Sequence, residues 1–112
     1  DDSVAKNPVL GSYVVEELVN KNVSEKDYFI SFDKEKVSGF MGCNMFSGSY
    51  ITNLENITFS ALVSTRKHCD NEMENENLWL KSVSEITSFS IDGKSVLLFD
   101  NQGKLILKAT KK

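Results

Sequence analysis

Histidine and proline are almost missing from this chain: His68 and Pro8 are the only examples in 112 residues. A lone histidine excludes the common multi-histidine metal centres and any two-histidine mechanism. Long apolar runs are absent as well, and no segment approaches the ~20 residues a membrane-spanning helix needs. Positive charge is neither abundant nor gathered: 13 Lys and Arg stand against 16 Asp and Glu, for a net charge of −3 and a pI near 5.1. Nucleic acid is therefore an unfavourable partner on electrostatic grounds. The one basic cluster, Lys108, Lys111 and Lys112, reads as a solvated tail. Gly39, Gly42 and Gly48 do not follow the spacing of a dinucleotide fingerprint or a P-loop. Neither Cys43 nor Cys69 lies in a local cysteine-protease signature. These absences predict a chain with no catalytic residues, no cofactor and no metal.

What is present is ordinary for a globular domain. Hydrophobic residues make up 40% and charged residues 26%, enough apolar content for a core and too little charge for disorder. The chain begins Asp1-Asp2-Ser3, as it would after removal of a leader. Residues 1–9 are read as an N-terminal arm and residues 10–112 as a single domain.

Short β segments dominate. "GSYVVEELV" (11–19) and "YFISFD" (28–33) are rich in β-branched and aromatic residues, and "DKEK" turns the second back into a strand through Val37, Gly39 and Met41. A further pair, 49–52 and 56–60, flanks "NLEN", and "ALVSTRK" continues as an extended piece. The last quarter, "SFSI-DG-KSVLLF-DNQG-KLILKA", gives three strands, because Asp-Gly between apolar runs is a strong hairpin signal. Only about 70–86 breaks the pattern: Met73, Trp79, Leu80, Val83 and Ile86 recur near helical spacing. The fold class that follows is mainly β (α+β), a small antiparallel barrel or half-open roll of 7–8 strands. Its one amphipathic helix would cover the gap in the barrel.

Potential chemistry is sparse. A Cys43, His68, Cys69 zinc site lacks a fourth ligand, and adjacent residues of an extended segment face opposite ways. Cys43 with His68 as a nucleophilic pair has no recognisable orienting group. Asp70, Glu72, Glu74 and Glu76 alternate around the helix start, where the dipole favours negative charge, so they read as a solvated face. The two cysteines leave three alternatives open: buried thiols, a redox sensor, or a disulfide closing a loop of about 26 residues.

The densest signal is "FDKEKVSGFMGCNMFSGSY", with Thr65 and Cys69 ahead of the helix and a leucine-rich closing hairpin. In order, Gly39, Gly42, Cys43, Asn44, Phe46, Gly48, Tyr50, Thr65 and Cys69 resemble the motif of the META domain family, whose bacterial members include HslJ-like heat-shock proteins. The similarity spans about residues 10–108. Tyr13 stands where that family usually has Trp, and Lys67-His68 stands where it has an apolar pair. The resemblance implies a small β-barrel with a helix, no established enzymatic activity, and a bacterial envelope location, as a periplasmic protein, lipoprotein or secreted protein. It also implies a link to stress tolerance or secretion.

The expected partner is then a protein or a small apolar ligand, bound by a monomer with a lipid anchor upstream of Asp1. Two other readings accompany it: a β-barrel protease inhibitor presenting residues 21–26 or 64–68, and a carrier of a hydrophobic ligand. In all of them the glycine-rich stretch is a tight corner, with Phe40, Phe46 and Tyr50 anchoring its flanks in the core and Asn44 bonding its own turn.

Overall fold

The computed structural model describes residues 9–60, 62–65 and 73–111. Seven strands precede the helix: β1 (Gly11–Leu18), β2 (Lys21–Asn22), β3 (Phe29–Phe32), β4 (Lys36–Phe40), β5 (Met45–Asn53), β6 (Asn56–Phe59) and β7 (Val63–Ser64). Helix α1 (Met73–Ser82) follows, and β8 (Ile86–Asp92), β9 (Ser95–Asp100) and β10 (Leu105–Lys111) complete the chain. The strands run β10-β9-β8-β6-β5-β4-β3-β1, all antiparallel, with β2 and β7 as two-residue additions to β1 and β5.

Of the two expected forms, barrel or half-open roll, the chain takes the barrel, and it is closed. β1 pairs with β10 from Tyr13↔Lys111 to Leu18↔Leu107, so the eight main strands form a barrel and the first and last strands shield each other's edges. The thinnest seam lies between β6 and β8, where the register holds one pair, Asn56↔Ser88. A bond from the Phe89 N–H to the Glu55 carbonyl, 2.9 Å, reinforces it.

Local chemistry explains the turns. Gly93 and Gly103 adopt φ of 62° and 83° in the two C-terminal hairpins, which a residue without Cβ does at little cost. In the second hairpin the Asp100 carboxylate accepts the N–H groups of Gln102 and Lys104, each at 2.9 Å. A bulge between Val15 and Glu17 shifts the register of β1. It resets the inward parity, so that Tyr13, Val15 and then Leu18 all face the core.

Side chains fill the interior. Tyr13 stands edge-on to Phe32 at 6.0 Å, Phe32 edge-on to Tyr50 at 5.1 Å, and Phe59 edge-on to Trp79 at 6.3 Å. Such offset and perpendicular pairings add to the burial term. Ile30, Ile57, Leu98 and Leu107 complete the same cluster, all fully buried. Tyr13 donates its hydroxyl proton to the Val9 carbonyl at 2.9 Å. Burial, and secondarily the neighbouring Tyr50, raises the Tyr13 pKa above 10.0.

Helix α1 ends earlier than the apolar spacing suggested. After Ser82 the chain tightens into a 3-10 turn, Val83–Glu85, and Ile86 is already extended, because Ile86 pairs with Asp100 at the start of β8. Trp79, Val83 and Ile86 are buried as expected, and Leu80 packs against the core from a partly exposed position. The expected start at Asp70 and Asn71, and the side chain of Met73, lie outside the described residues. The helix covers an end of the barrel: Lys21, Tyr28, residues 43–46 and Phe59, all at one mouth, meet it.

Candidate functional site

The glycine-rich motif divides between a strand, a corner and a second strand. Gly39 sits in β4, where a Cβ would lie 2.3 Å from the Phe29 carbonyl oxygen and 2.7 Å from Phe46 Cζ. Only glycine fits there. Gly42 takes φ +132° at the corner, and Phe46, Gly48 and Tyr50 belong to β5, with Gly48 opposite Val37. Phe46 and Tyr50 point into the core, Phe40 packs against it half-buried, and Met41 at the corner is fully buried. The Tyr50 hydroxyl donates to the Asp33 carbonyl and ties β5 to the β3–β4 turn.

At the corner the backbone presents two successive amides to one carboxylate. Glu76 of α1 is only 3% exposed. Its Oε1 accepts the Asn44 N–H at 2.6 Å and the Cys43 N–H at 3.3 Å, and its Oε2 accepts the Asn44 side-chain amide at 2.9 Å. Consecutive N–H groups of this kind make an anion-binding concavity. Here the chain supplies its own anion, and charge-assisted bonds are the stronger sort. Asn44 Oδ1 in turn accepts the Thr65 hydroxyl at 2.7 Å, while the Thr65 N–H reaches the Met45 carbonyl at 3.1 Å. Corner, strand β7 and helix thus share one polar cluster.

Glu76 corrects the reading of the helix-start carboxylates. It is buried and bonded, whereas Glu74 is exposed and pairs with Lys21 at 3.0 Å; Asp70 and Glu72 lie outside the described residues. A signal existed, since Glu76, Trp79 and Val83 fall at i, i+3 and i+7 on one face. Asn44 is likewise more than a local turn former, since it reaches across to Glu76 and Thr65.

Trp79 anchors the helix between Phe46 at 5.5 Å and Phe59 at 6.3 Å, with its indole N–H buried and without a hydrogen-bond acceptor among the described residues. Cys43 is 7% exposed beside Glu76, and no free cysteine occurs among the described residues. His68 and Cys69 lie outside them. Among the described residues no group of three His, Cys, Asp or Glu is placed to hold a metal, and no helix is long and apolar enough to cross a membrane.

The outer surface contrasts with this closed interior. Met45, Val63 and Ile51 are 48%, 67% and 72% exposed. A shallow groove between Met45 and Val63 is lined by Ser38, Ser47, Ser64 and Thr65, whereas Ile51 lies in a separate groove beside Lys34 and Lys36.

A closed eight-strand antiparallel barrel, capped at one mouth by a helix whose buried carboxylate locks a glycine-rich corner, defines a class of small β-barrel domains built around one internal polar latch. The chain belongs to the META domain family, whose model matches residues 8–112. Among solved structures, a protein from Burkholderia xenovorans is similar over 94% of this chain and 84% of its own, with a TM-score of 0.72 at 19% identity. A second protein solved by NMR covers 91% of this chain and 89% of its own, with a TM-score of 0.71 at 25% identity. A DUF4847 family protein from Bacteroides vulgatus shares the fold at 9% identity, with a TM-score of 0.64 over 93% of this chain and 94% of that one. No curated protein sequence matches significantly.

Proposed function

We propose that this META domain is a non-enzymatic binding module of the bacterial envelope, periplasmic, lipid-anchored or secreted, whose motif residues are architectural. In this reading it engages a protein or small apolar partner in stress tolerance or secretion. One observation carries the architectural part: the polar groups of the motif are spent on one another and on Glu76, in bonds of 2.6 to 2.9 Å. Groups committed in this way are poorly placed to turn over a substrate, since releasing them would leave buried donors unsatisfied. Among the described residues the aromatic side chains pack together inside the barrel, which in this reading directs recognition to the outside. The Cys43–Cys69 pair forms a disulfide in this reading, as an oxidising envelope allows.

The test has two arms. Asn44→Ala is expected to lower the melting temperature, and unchanged melting with a specific loss of binding would show that the corner is a recognition surface. Fractionation of cells making the full precursor should place the protein with the envelope or the medium; recovery from the cytoplasm would overturn the location.

A further inference from the structure

A closed barrel is held by the ladder of backbone bonds along each strand seam, and here the ladder is uneven. The other seams between the main strands each register at least four residue pairs, and β8–β9 registers six. The β6–β8 seam registers one, Asn56↔Ser88, with the Phe89 N–H bonded to the Glu55 carbonyl beside it. Two local causes shorten it. β6 begins at Asn56, so the β5–β6 turn ends the ladder on one side while β8 runs on to Asp92. On the other side β8 carries an extra residue between Ile86 and Ser88. A bulged strand bends, which accounts for the ladder stopping short of Phe59.

Side chains complete the closure. Trp79, on the helix that leads into β8, lies edge-on to Phe59 of β6 at 6.3 Å and against Phe46 of β5 at 5.5 Å. Ile57 of β6 and Phe89 of β8 are buried from the two sides of the seam. The indole N–H of Trp79 is itself buried with no acceptor among the described residues. A donor in that state has given up water without replacement, so an opening that wets it recovers a hydrogen bond. The seam with the fewest backbone bonds is thus closed by a side chain that gains a bond when the seam opens.

We propose that the β6–β8 seam is a gate built into the barrel: the β5–β6 hairpin parts from β8 while the other seams stay paired, and water reaches Trp79 through the gap. The Glu76 latch keeps the corner on α1 throughout, since it ties the helix to residues 43 and 44 and not to β6. The open form is a curled sheet with β6 and β8 as its edges. This goes beyond the binding-module reading and does not depend on it.

Hydrogen exchange of the wild-type protein, followed by NMR, is the first measurement. The Phe89 amide, whose acceptor lies across the seam, and the Trp79 indole N–H should exchange through one shared opening that low urea does not promote. The Val15 amide, bonded to the Tyr28 carbonyl at 3.0 Å in the β1–β3 seam, should be protected about tenfold or more strongly, through an opening that urea does promote. Exchange of all three through one urea-dependent opening overturns the gate, and so does an indole N–H that follows Val15 instead of Phe89. The second measurement clamps the seam. Asn56→His/Ser88→His sets two imidazoles side by side on the outer face of the one registered pair, where zinc can bridge them. Ser12→His/Ser31→His does the same across β1–β3, where the two hydroxyls are 2.9 Å apart. Zinc on the first variant should slow exchange at Phe89 and the Trp79 indole about tenfold or more, reversibly on chelation, and zinc on the second should leave both unchanged. Equal slowing in the two variants, or none in the first with zinc bound, overturns the gate. Where a variant fails to fold, the wild-type comparison decides.

Discussion

Gly39 and Tyr13 show how narrowly single positions are constrained. Gly39→Ala would drive a methyl group into the Phe29 carbonyl, and it is expected to destabilise by about 1–3 kcal/mol, as overpacked core sites do. Gly42→Val, with a branched side chain at φ +132°, should also melt lower by calorimetry. Tyr13 supplies a pH dependence. Burial, then Tyr50, raises its pKa above 10.0, so the folded chain holds the phenolic proton more tightly than the unfolded chain does. The resulting stability is complete below the unfolded value and is lost as pH climbs through the raised one. Urea midpoints should therefore fall above about pH 10, and less steeply in Tyr13→Phe. At this scale the sequence was partly legible. Gly39 and Gly42 announced tight backbone because few other reasons put glycines in an apolar strand and its corner, and Trp79 announced itself by size. Glu76 stayed hidden, because a glutamate in an early helical turn has an ordinary solvated explanation, and only the fold brings the corner amides to it.

Elements meet here through the latch. Glu76→Ala would leave the amides of Cys43 and Asn44 buried without their acceptor, and each unsatisfied donor costs about 1–3 kcal/mol. Chemical denaturation of Glu76→Ala, Asn44→Ala and the double variant should give a coupling energy of about 0.5–3 kcal/mol. Additivity would mean that helix and corner are held independently. Hydrogen exchange at residues 43 and 44 should quicken in Glu76→Ala before the barrel strands respond. Helix existence was readable from periodicity, whereas its early end was not: the pairing of Ile86 with Asp100, a tertiary demand, cut short a pattern that continued in the sequence.

For the whole molecule, the proposed Cys43–Cys69 bond would tie the corner to the segment ahead of the helix. Intact mass should rise by about two hydrogens on reduction, and stability should fall by roughly 3 kcal/mol in the chain-entropy model. An unchanged mass would rule the bond out. The hairpins were visible in advance because Asp-Gly and Asp-Asn-Gln-Gly are local signals. Barrel closure was not, since β1 and β10 carry nothing in their residues that names the other as partner.

That pairing of first strand with last has a consequence for synthesis. Tyr13 finds its neighbour in Lys111, so β1 must wait with one edge uncovered until nearly the entire domain has left the ribosome. Contacts so distant in sequence slow folding, and an uncovered strand invites pairing with another chain. A nascent chain stalled before Leu105 should therefore be held open and sticky, and its tendency to aggregate should vanish once β10 has emerged.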